Sequence, residues 1–174
     1  MGAAFLRHGA ALVTIDPGAS TGWCVELSGA RWSGQDEPAL AAAAVLDLLG
    51  DAPIGLLAIE RPIGGSPGRI ARVSLPWAAG EVRGRLAAQQ VDEAALLLPL
   101  PGQWRKVLGI RAGRRKRDEI NHEIHDLAEQ AERAPLRSPG GGLEYDRANA
   151  VCLALAARRL CDRVAEGQQH GSKP

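Results

Sequence analysis

The stretch VTIDPGASTG, residues 13–22, decides the fold of this 174-residue chain. Residues 10–15 form an apolar run that is typical of a buried strand, and residues 22–27 alternate like a second strand. The Pro-Gly pair between them favours a tight turn, so the stretch predicts a β-hairpin. Such a turn needs no acid. Asp16, at the end of the first strand, is therefore the residue that the hairpin leaves unexplained.

Beyond the hairpin, apolar runs and helical spacing predict alternating strands and helices. The predicted strands are 10–15, 22–27, 31–33, 54–59 and 94–98, and the predicted helices are 37–49, 78–90, 103–108, 117–132 and 145–164. Residues 61–77 are rich in Pro and Gly and predict a loop with at most one helical turn. The alternation predicts an α/β domain whose sheet is mixed.

Length and composition favour one globular domain, which we predict to span residues 1–166. Residues 167–174 are polar, and we expect a disordered tail there. No apolar stretch approaches the about 20 residues of a membrane span, and the N-terminus lacks a convincing cleavage site. These features predict a soluble, cytoplasmic protein without a membrane partner.

The cysteines and histidines carry little functional signal. Cys24, Cys152 and Cys161 lack metal-site spacing, which indicates buried, reduced thiols. His122 and His125 are three apart on a predicted helix, where we expect a solvated face rather than a metal site.

Positive charge is concentrated in one segment although the net charge is only +1. In residues 105–117, RKVLGIRAGRRKR, seven of thirteen residues are Lys or Arg and none is acidic. Such a segment predicts contacts with the phosphates of a polyanion. The predicted DNA-binding residues are Arg105, Lys106, Arg114, Arg115, Lys116 and Arg117.

Three acids stand at the ends of predicted elements. Asp16 ends the first strand, Glu60 follows the strand in GLLAIERP, and Asp146 begins the last helix in YDRANAVCLALA. Taken alone, Asp16 could be a turn former, Glu60 a surface residue at a strand end, and Asp146 an N-cap or first-turn helix acid. Together they predict an oxygen-rich site for Mg²⁺ or Mn²⁺, and two such ions about 3.5–4 Å apart can promote phosphodiester hydrolysis.

Five motifs in order resemble one family. They are LVTIDPGASTGWCV, LLAIERP, AAGEVRGRLAA, PGQWRKVLGIRAGRRKRDEI and YDRANAVCLALA, and they cover roughly residues 10 to 165. Each is similar to a motif of the RuvC-like Holliday junction resolvases, which belong to the ribonuclease H-like superfamily. Any one of these motifs is weak, and their shared order makes the resemblance fairly specific.

The resemblance implies a ribonuclease H-like fold with a five-stranded mixed sheet flanked by helices. It also implies a homodimer that cleaves four-way junctions or other branched DNA with Mg²⁺, leaving 5′-phosphate ends. Asp16, Glu60 and Asp146 match the family's catalytic acids. By that resemblance Asp16 would be shared between two metal ions, Glu60 would complete one site, and Asp146 the other, assisted by Asn149. Lys106 or Lys116 would approach the scissile phosphate.

Three departures mark a divergent member, and the shortened form together with Trp104 before Arg105 and Lys106 looks more like phage-type or otherwise divergent members. Asn149 stands where the family usually has its last Asp, so the second metal site lacks a charge that Glu144 could supply. The spacing between Asp16 and Glu60 is short. Ile63, in the loop after Glu60, is not the aromatic residue that bacterial resolvases often carry there.

Three other functions remain open at this point. A ribonuclease H-like nuclease acting on an RNA–DNA hybrid would share the fold and the metal site. A nucleic-acid-binding module with weakened catalysis would explain Asn149. A sugar-kinase or actin-like ATPase also begins with Asp-x-Gly and Thr-Gly, but it needs two such domains and a second phosphate motif, which this chain lacks.

Overall fold

A computed structural model describes residues 9–61, 71–87, 96–111 and 113–170 of the chain. These residues form five strands and five helices. In chain order the elements are β1 (Ala11–Asp16), β2 (Thr21–Leu27), β3 (Ala30–Asp36), α1 (Pro38–Leu49), β4 (Ile54–Ile59), α2 (Ala71–Ala87), β5 (Leu96–Leu97), α3 (Pro101–Leu108), α4 (Arg117–Glu132) and α5 (Tyr145–His170).

The strands form one mixed sheet in the order β3-β2-β1-β4-β5. The first three strands pair antiparallel as two consecutive hairpins, whereas β4 lies parallel to β1 and β5 parallel to β4. The prediction of an α/β protein with a five-stranded mixed sheet is confirmed. The hairpin of the opening stretch is confirmed as well, and it places β1 at the centre of the sheet.

Side-chain alternation along β1 divides the interior into two hydrophobic cores. Leu12 packs in the core that contains buried residues of α3, α4 and α5, and its neighbours Val13 and Ile15 pack in the core beneath α1 and α2. Successive strand residues point to opposite faces, so a strand that is apolar on both faces must be covered on both. The fold is therefore a sheet between two helical layers.

Helix α5 packs across β1, β2 and β3. Its small residues allow the helix backbone to come close to the sheet. Ala148, Ala150 and Ala154 are completely buried. Because these side chains are short, the helix backbone reaches the sheet, and the Thr14 hydroxyl on β1 donates a hydrogen bond of 2.7 Å to the Ala150 carbonyl. This contact fixes the helix over the strand that ends at Asp16.

Helix α2 corrects the predicted loop at 61–77. It begins at Ala71 rather than at residue 78, and Pro76 lies inside it. A proline lacks an N–H and forfeits one intrahelical hydrogen bond, but it need not end a helix whose other turns are well formed. Residues 62–70, with Ile63, lie outside the described part of the chain, as do 88–95.

Strand β3 and helix α5 are longer than predicted. β3 runs from Ala30 to Asp36, where the sequence predicted only 31–33, because it pairs with β2 along its whole length. α5 continues to His170, four residues into the predicted tail, and 171–174 lie outside the described residues. Neither α5 nor any other helix in the described ranges is long and apolar enough to cross a membrane.

The three cysteines are free thiols, as predicted. Cys24 and Cys152 are buried, and Cys161 is partly exposed. Burial raises the pKa of the Cys152 thiol to about 12. This thiol therefore stays protonated near neutral pH and packs as a small apolar group.

Candidate active site

Parallel pairing of β1 with β4 brings the first two acids together. Ile15 lies opposite Ile59, and the backbone N–H of Glu60 donates to the Ile15 carbonyl at 2.9 Å. Parallel strands end at the same edge of a sheet, so the residues that close them become neighbours. Asp16 and Glu60 accordingly line one cleft.

The start of α5 brings Asp146 and Asn149 to the same place. The Asn149 side-chain amide donates a hydrogen bond of 2.8 Å to Asp16 Oδ2. Gly22 makes this approach possible, because a Cβ at that position would lie 1.8 Å from the Asp146 carbonyl oxygen. The second strand and the last helix are therefore in direct backbone contact at the site.

The turn of the opening stretch also supports Asp146. Thr21 closes it, since its hydroxyl donates to the Gly18 carbonyl at 2.9 Å and accepts from the Gly18 N–H at 3.3 Å. Ser20 lies near the Asp146 carboxyl and lowers its pKa against the effect of burial. The turn between β1 and β2 is thus a wall of the site as well as a connection.

Trp104 and Arg105 on α3 hold the Glu60 side of the cleft, and no sequence pattern indicates this role of Trp104. Trp104 is completely buried and donates its indole N–H to Glu60 Oε2 at 2.5 Å. The Arg105 guanidinium lies 5.1 Å from the centre of the Trp104 ring. Arg105 Nε is buried and has no hydrogen-bond partner among the described residues.

The cleft between these elements has a volume of about 710 Å³ and carries charges of both signs. The acids of the cleft are Asp16, Glu60 and Asp146, its cations are Arg105, Arg115 and Arg117, and Gln35 and Asn149 are among its uncharged polar residues. A cleft with carboxylates and guanidinium groups side by side suits a ligand that combines cations with phosphates.

The pKa of each of the three acids is raised. Burial is the main cause for Asp16, followed by repulsion from Glu60, while the Asn149 hydrogen bond acts the other way. Burial also raises the pKa of Glu60 against the Trp104 hydrogen bond and the charge of Arg105, and it raises that of Asp146 against Ser20 and Arg117. The ionised cluster is therefore unfavourable without a further positive charge.

The donor set fits a hard divalent cation. Three carboxylates and the amide oxygen of Asn149 are the ligand types that Mg²⁺ and Mn²⁺ prefer. Burial raises the pKa of each carboxyl, so a bound cation would favour the charged forms. The three carboxylates do not form a group within 4.8 Å of one another. In this arrangement the three carboxylates are therefore too far apart to bind one ion together.

The basic segment is divided between the cleft and the surrounding surface. Arg105, Arg115 and Arg117 line the cleft, whereas Lys106, Arg114 and Lys116 do not, and all of these cations except Arg105 are exposed. Lys106 instead lines a neighbouring depression of about 600 Å³ together with Arg105 and Arg111. The cations thus extend from the acids onto the surface around the cleft.

Arg115 differs from the other cations because acids of α4 neutralise it. It forms an ion pair with Glu123 and lies 3.8 Å from Glu119. Its charge is therefore less available to an external phosphate than the charges of Arg114 and Lys116, for which no ion pair is found within the described ranges.

The expectation of a solvated face at both histidines is wrong for His125. His122 is exposed, but His125 is 3% exposed and its Nε2 lies 2.8 Å from the Leu136 carbonyl. One ligand atom each from His125, Asp126 and Glu129 lies within 4.8 Å of the others, so this group could hold a metal ion. Glu129 also accepts from the Leu136 N–H, and the group already has a structural role in anchoring that loop.

Glu144 does not supply the charge that Asn149 lacks. It forms a 2.9 Å ion pair with Arg147 and is not among the residues that line the cleft. The charge deficit at Asn149 is consequently not compensated by this nearby acid.

Fold and site together define an α/β protein with an acid- and arginine-lined cleft at the edge of a mixed sheet. A comparison of the chain with protein-family models and with curated proteins found no match. The functional conclusion therefore depends on the site itself.

Proposed function

We propose that this protein is a metal-dependent endonuclease that hydrolyses phosphodiester bonds in branched DNA, with four-way junctions as the preferred substrate. The observation that carries the proposal is the convergence of Asp16, Glu60 and Asp146 in one cleft with Arg105 and Arg117. Acids that need a cation and arginines that can bind phosphate are the two requirements of metal-assisted phosphodiester hydrolysis.

The strand order supports assignment to the ribonuclease H-like folds. Three antiparallel strands are followed by two parallel ones, and the acids lie at the end of the central strand, after its parallel neighbour and in the first turn of the last helix. This arrangement is compatible with the resolvase resemblance of the five sequence motifs.

The residues that would hold Mg²⁺ or Mn²⁺ are Asp16, shared between two ions, Glu60 on one side, and Asp146 with Asn149 on the other. The ions would supply Lewis-acid activation of water and stabilisation of the leaving oxygen. The protein orients one of these ligands through Trp104, whose indole N–H donates to the Glu60 carboxylate, and Ser20 favours the charged form of Asp146.

Arg105 would bind the phosphate nearest the acids. Its buried Nε–H has no hydrogen-bond acceptor among the described residues, and a phosphate oxygen would supply one. Arg117 lies beside Asp146 and lowers the pKa of that carboxyl against the effect of burial. Exposed Lys106, Arg114 and Lys116 would contact flanking phosphates, which position DNA without reading its sequence.

A homodimer belongs to the same proposal. A four-way junction has two strands to cut, and a two-fold dimer would present two clefts to them. Sedimentation velocity of the free protein and of its junction complex measures this directly, and a strictly monomeric complex contradicts the dimer.

The test of function is a cleavage assay on three substrates of equal length. A four-way junction, a linear duplex and an RNA–DNA hybrid are incubated with the protein in Mg²⁺, and in parallel with EDTA. We expect the junction to be cut fastest, no cleavage in EDTA, and 5′-phosphate ends. Equal or faster cleavage of the hybrid would assign the site to a hybrid-specific nuclease instead.

A second candidate function, a binding module with weakened catalysis, is favoured by one contact. Asn149 is uncharged, and its side-chain amide nitrogen already donates a hydrogen bond to Asp16 Oδ2. If the wild-type protein binds junctions tightly but cuts them in neither Mg²⁺ nor Mn²⁺, this second function replaces the first.

Salt dependence of DNA binding tests the basic segment. We expect the logarithm of affinity to fall linearly with the logarithm of salt concentration, because each neutralised phosphate releases counterions. Arg114→Ala should reduce the slope by about 1, as expected for loss of one phosphate contact. Fluorescence anisotropy with a labelled junction in Ca²⁺ measures both quantities.

Arg115→Ala is the matched control for this measurement, since its charge is already paired with Glu123. It should change the slope less than Arg114→Ala does. A salt-independent affinity, or an equal effect of the two substitutions, would remove the role assigned to the exposed cations.

A further inference from the structure

Gln35, near the end of the edge strand β3, joins that strand to the start of α5. Its side-chain Oε1 accepts hydrogen bonds from the backbone N–H groups of Asp146 and Arg147, both at 3.2 Å. In the sheet Gln35 lies opposite Gly22, the glycine on which the Asp146 carbonyl packs. The paired residues Gly22 on β2 and Gln35 on β3 thus both contact the first turn of α5.

The first N–H groups of a helix have no partner within the helix, and a side-chain oxygen that accepts from them acts as a cap. Here the cap comes from a residue 111 positions away in the sequence. A neutral amide can accept both hydrogen bonds without adding charge beside Asp16, Glu60 and Asp146, whose repulsion already raises the pKa of Asp16. Gln35 therefore fits this position better than a capping acid would.

A second contact on β3 restrains the same turn. The Arg147 side chain donates through Nε to the Ser33 hydroxyl at 2.9 Å. Ser33 and Gln35 are two apart on one strand, so they lie on the same face of the sheet. The strand that the sequence predicts as a minor three-residue element thereby orients the helix turn that carries one of the acids.

We propose that Gln35 is a positioning residue that fixes the backbone of Asp146 so that its carboxylate is preorganised to bind a divalent cation. This role rests on the proposed function. Gln35 itself need touch neither the cation nor the DNA. Its contribution is to lower the cost of orienting Asp146, which affects cation affinity more than the rate at saturating cation.

The test uses Gln35→Met, which keeps the length of the side chain and removes the acceptor, and Gln35→Glu, which restores an acceptor. In the full-length protein, amide hydrogen exchange by NMR should become about tenfold faster at Asp146 and Arg147 in Gln35→Met and return toward wild type in Gln35→Glu. The Mg²⁺ concentration that gives half-maximal junction cleavage should rise about fivefold in Gln35→Met, with the rate at saturating Mg²⁺ within about twofold.

Ser138→Ala is the matched control, since it also removes a side-chain acceptor from a backbone N–H, that of Gly142, and neither residue lines the cleft. It should leave the Mg²⁺ requirement unchanged. Unaltered exchange at Asp146 in Gln35→Met, or a loss of saturated rate with an unchanged Mg²⁺ requirement, would overturn the positioning role.

Failure of the proposed function is distinguishable from failure of this inference. If wild-type protein cuts no substrate, Mg²⁺ titration of the Asp146 amide resonance replaces the assay. A weaker Mg²⁺ response in Gln35→Met then supports the positioning role without nuclease activity. The absence of any response in wild type overturns it.

Discussion

Asp16→Asn is expected to lower the rate of junction cleavage at least about a thousandfold, which corresponds to ~4 kcal/mol of transition-state stabilisation. Burial raises the pKa of Asp16, and repulsion from both Glu60 and Asp146 raises it further. Asp16 therefore interacts electrostatically with both of the other acids. Losing its charge therefore weakens cation binding on both sides of the cleft. Junction affinity in Ca²⁺ should change little, because the phosphate contacts are proposed for other residues.

Cleavage kinetics in Mg²⁺ and anisotropy in Ca²⁺ measure the two effects. Asp51→Asn is the control, since Asp51 is an exposed acid outside the cleft. It should behave as wild type in both assays. Retention of cleavage by Asp16→Asn would contradict the assignment of Asp16 as a metal ligand, and a parallel loss of binding would show that the substitution disturbs the whole site.

The same substitution should stabilise the metal-free protein. Burial and its acidic neighbours raise the pKa of Asp16, so the folded state holds a proton more tightly than the unfolded state does. The free energy of unfolding of wild type therefore falls as pH rises from the unfolded pKa through the raised folded one. In EDTA we expect Asp16→Asn to melt at a higher temperature than wild type at pH 8, with a smaller difference at pH 5.

Added Mg²⁺ should reverse the order at pH 8, because a cation that binds only the folded state stabilises it. Thermal unfolding followed by circular dichroism at both pH values measures this. A lower melting temperature for Asp16→Asn at pH 8 in EDTA would mean that the wild-type charge is already well compensated within the protein.

Gly22→Ala is expected to destabilise the fold by about 3 kcal/mol or more, at the upper end of the cost of overpacking. Its Cβ would lie 1.8 Å from the Asp146 carbonyl oxygen and 2.2 Å from the carbonyl carbon. Both clashing atoms are backbone, so no side-chain rotation relieves them. β2 and α5 must separate, and the acids of β1 and α5 separate with them.

Urea unfolding measures the loss, and Mg²⁺ titration of any folded fraction measures the damage to the site. Gly84→Ala is the control, because the added Cβ in α2 meets no described atom within 4 Å beyond its own local helix backbone. There the substitution should be neutral or stabilising by up to ~1 kcal/mol, since alanine favours helix. Equal stability of Gly22→Ala and wild type would contradict the close contact of strand and helix.

Most elements of the fold could be predicted because their signals are local. An apolar run, a Pro-Gly turn and an alternating run predict the β1–β2 hairpin from consecutive residues, and α4 begins and ends where its apolar spacing does. α2 could not be bounded in this way, since Pro76 locally signals a break while the structure continues the helix around it. β3 has little apolar character and is ordered by its pairing with β2.

The candidate site likewise combines residues that local sequence predicts with contacts that only the folded chain shows. The sequence by itself determined which acids end β1, follow β4 and begin α5, because an acid beside an apolar run is visible in one dimension. Only the tertiary structure decided that Trp104 holds Glu60, that Gln35 caps the turn of Asp146, that Gly22 admits it, and that His125 is buried. These contacts join residues distant in sequence, and they depend on strand register and helix approach, which the packing of the whole chain determines.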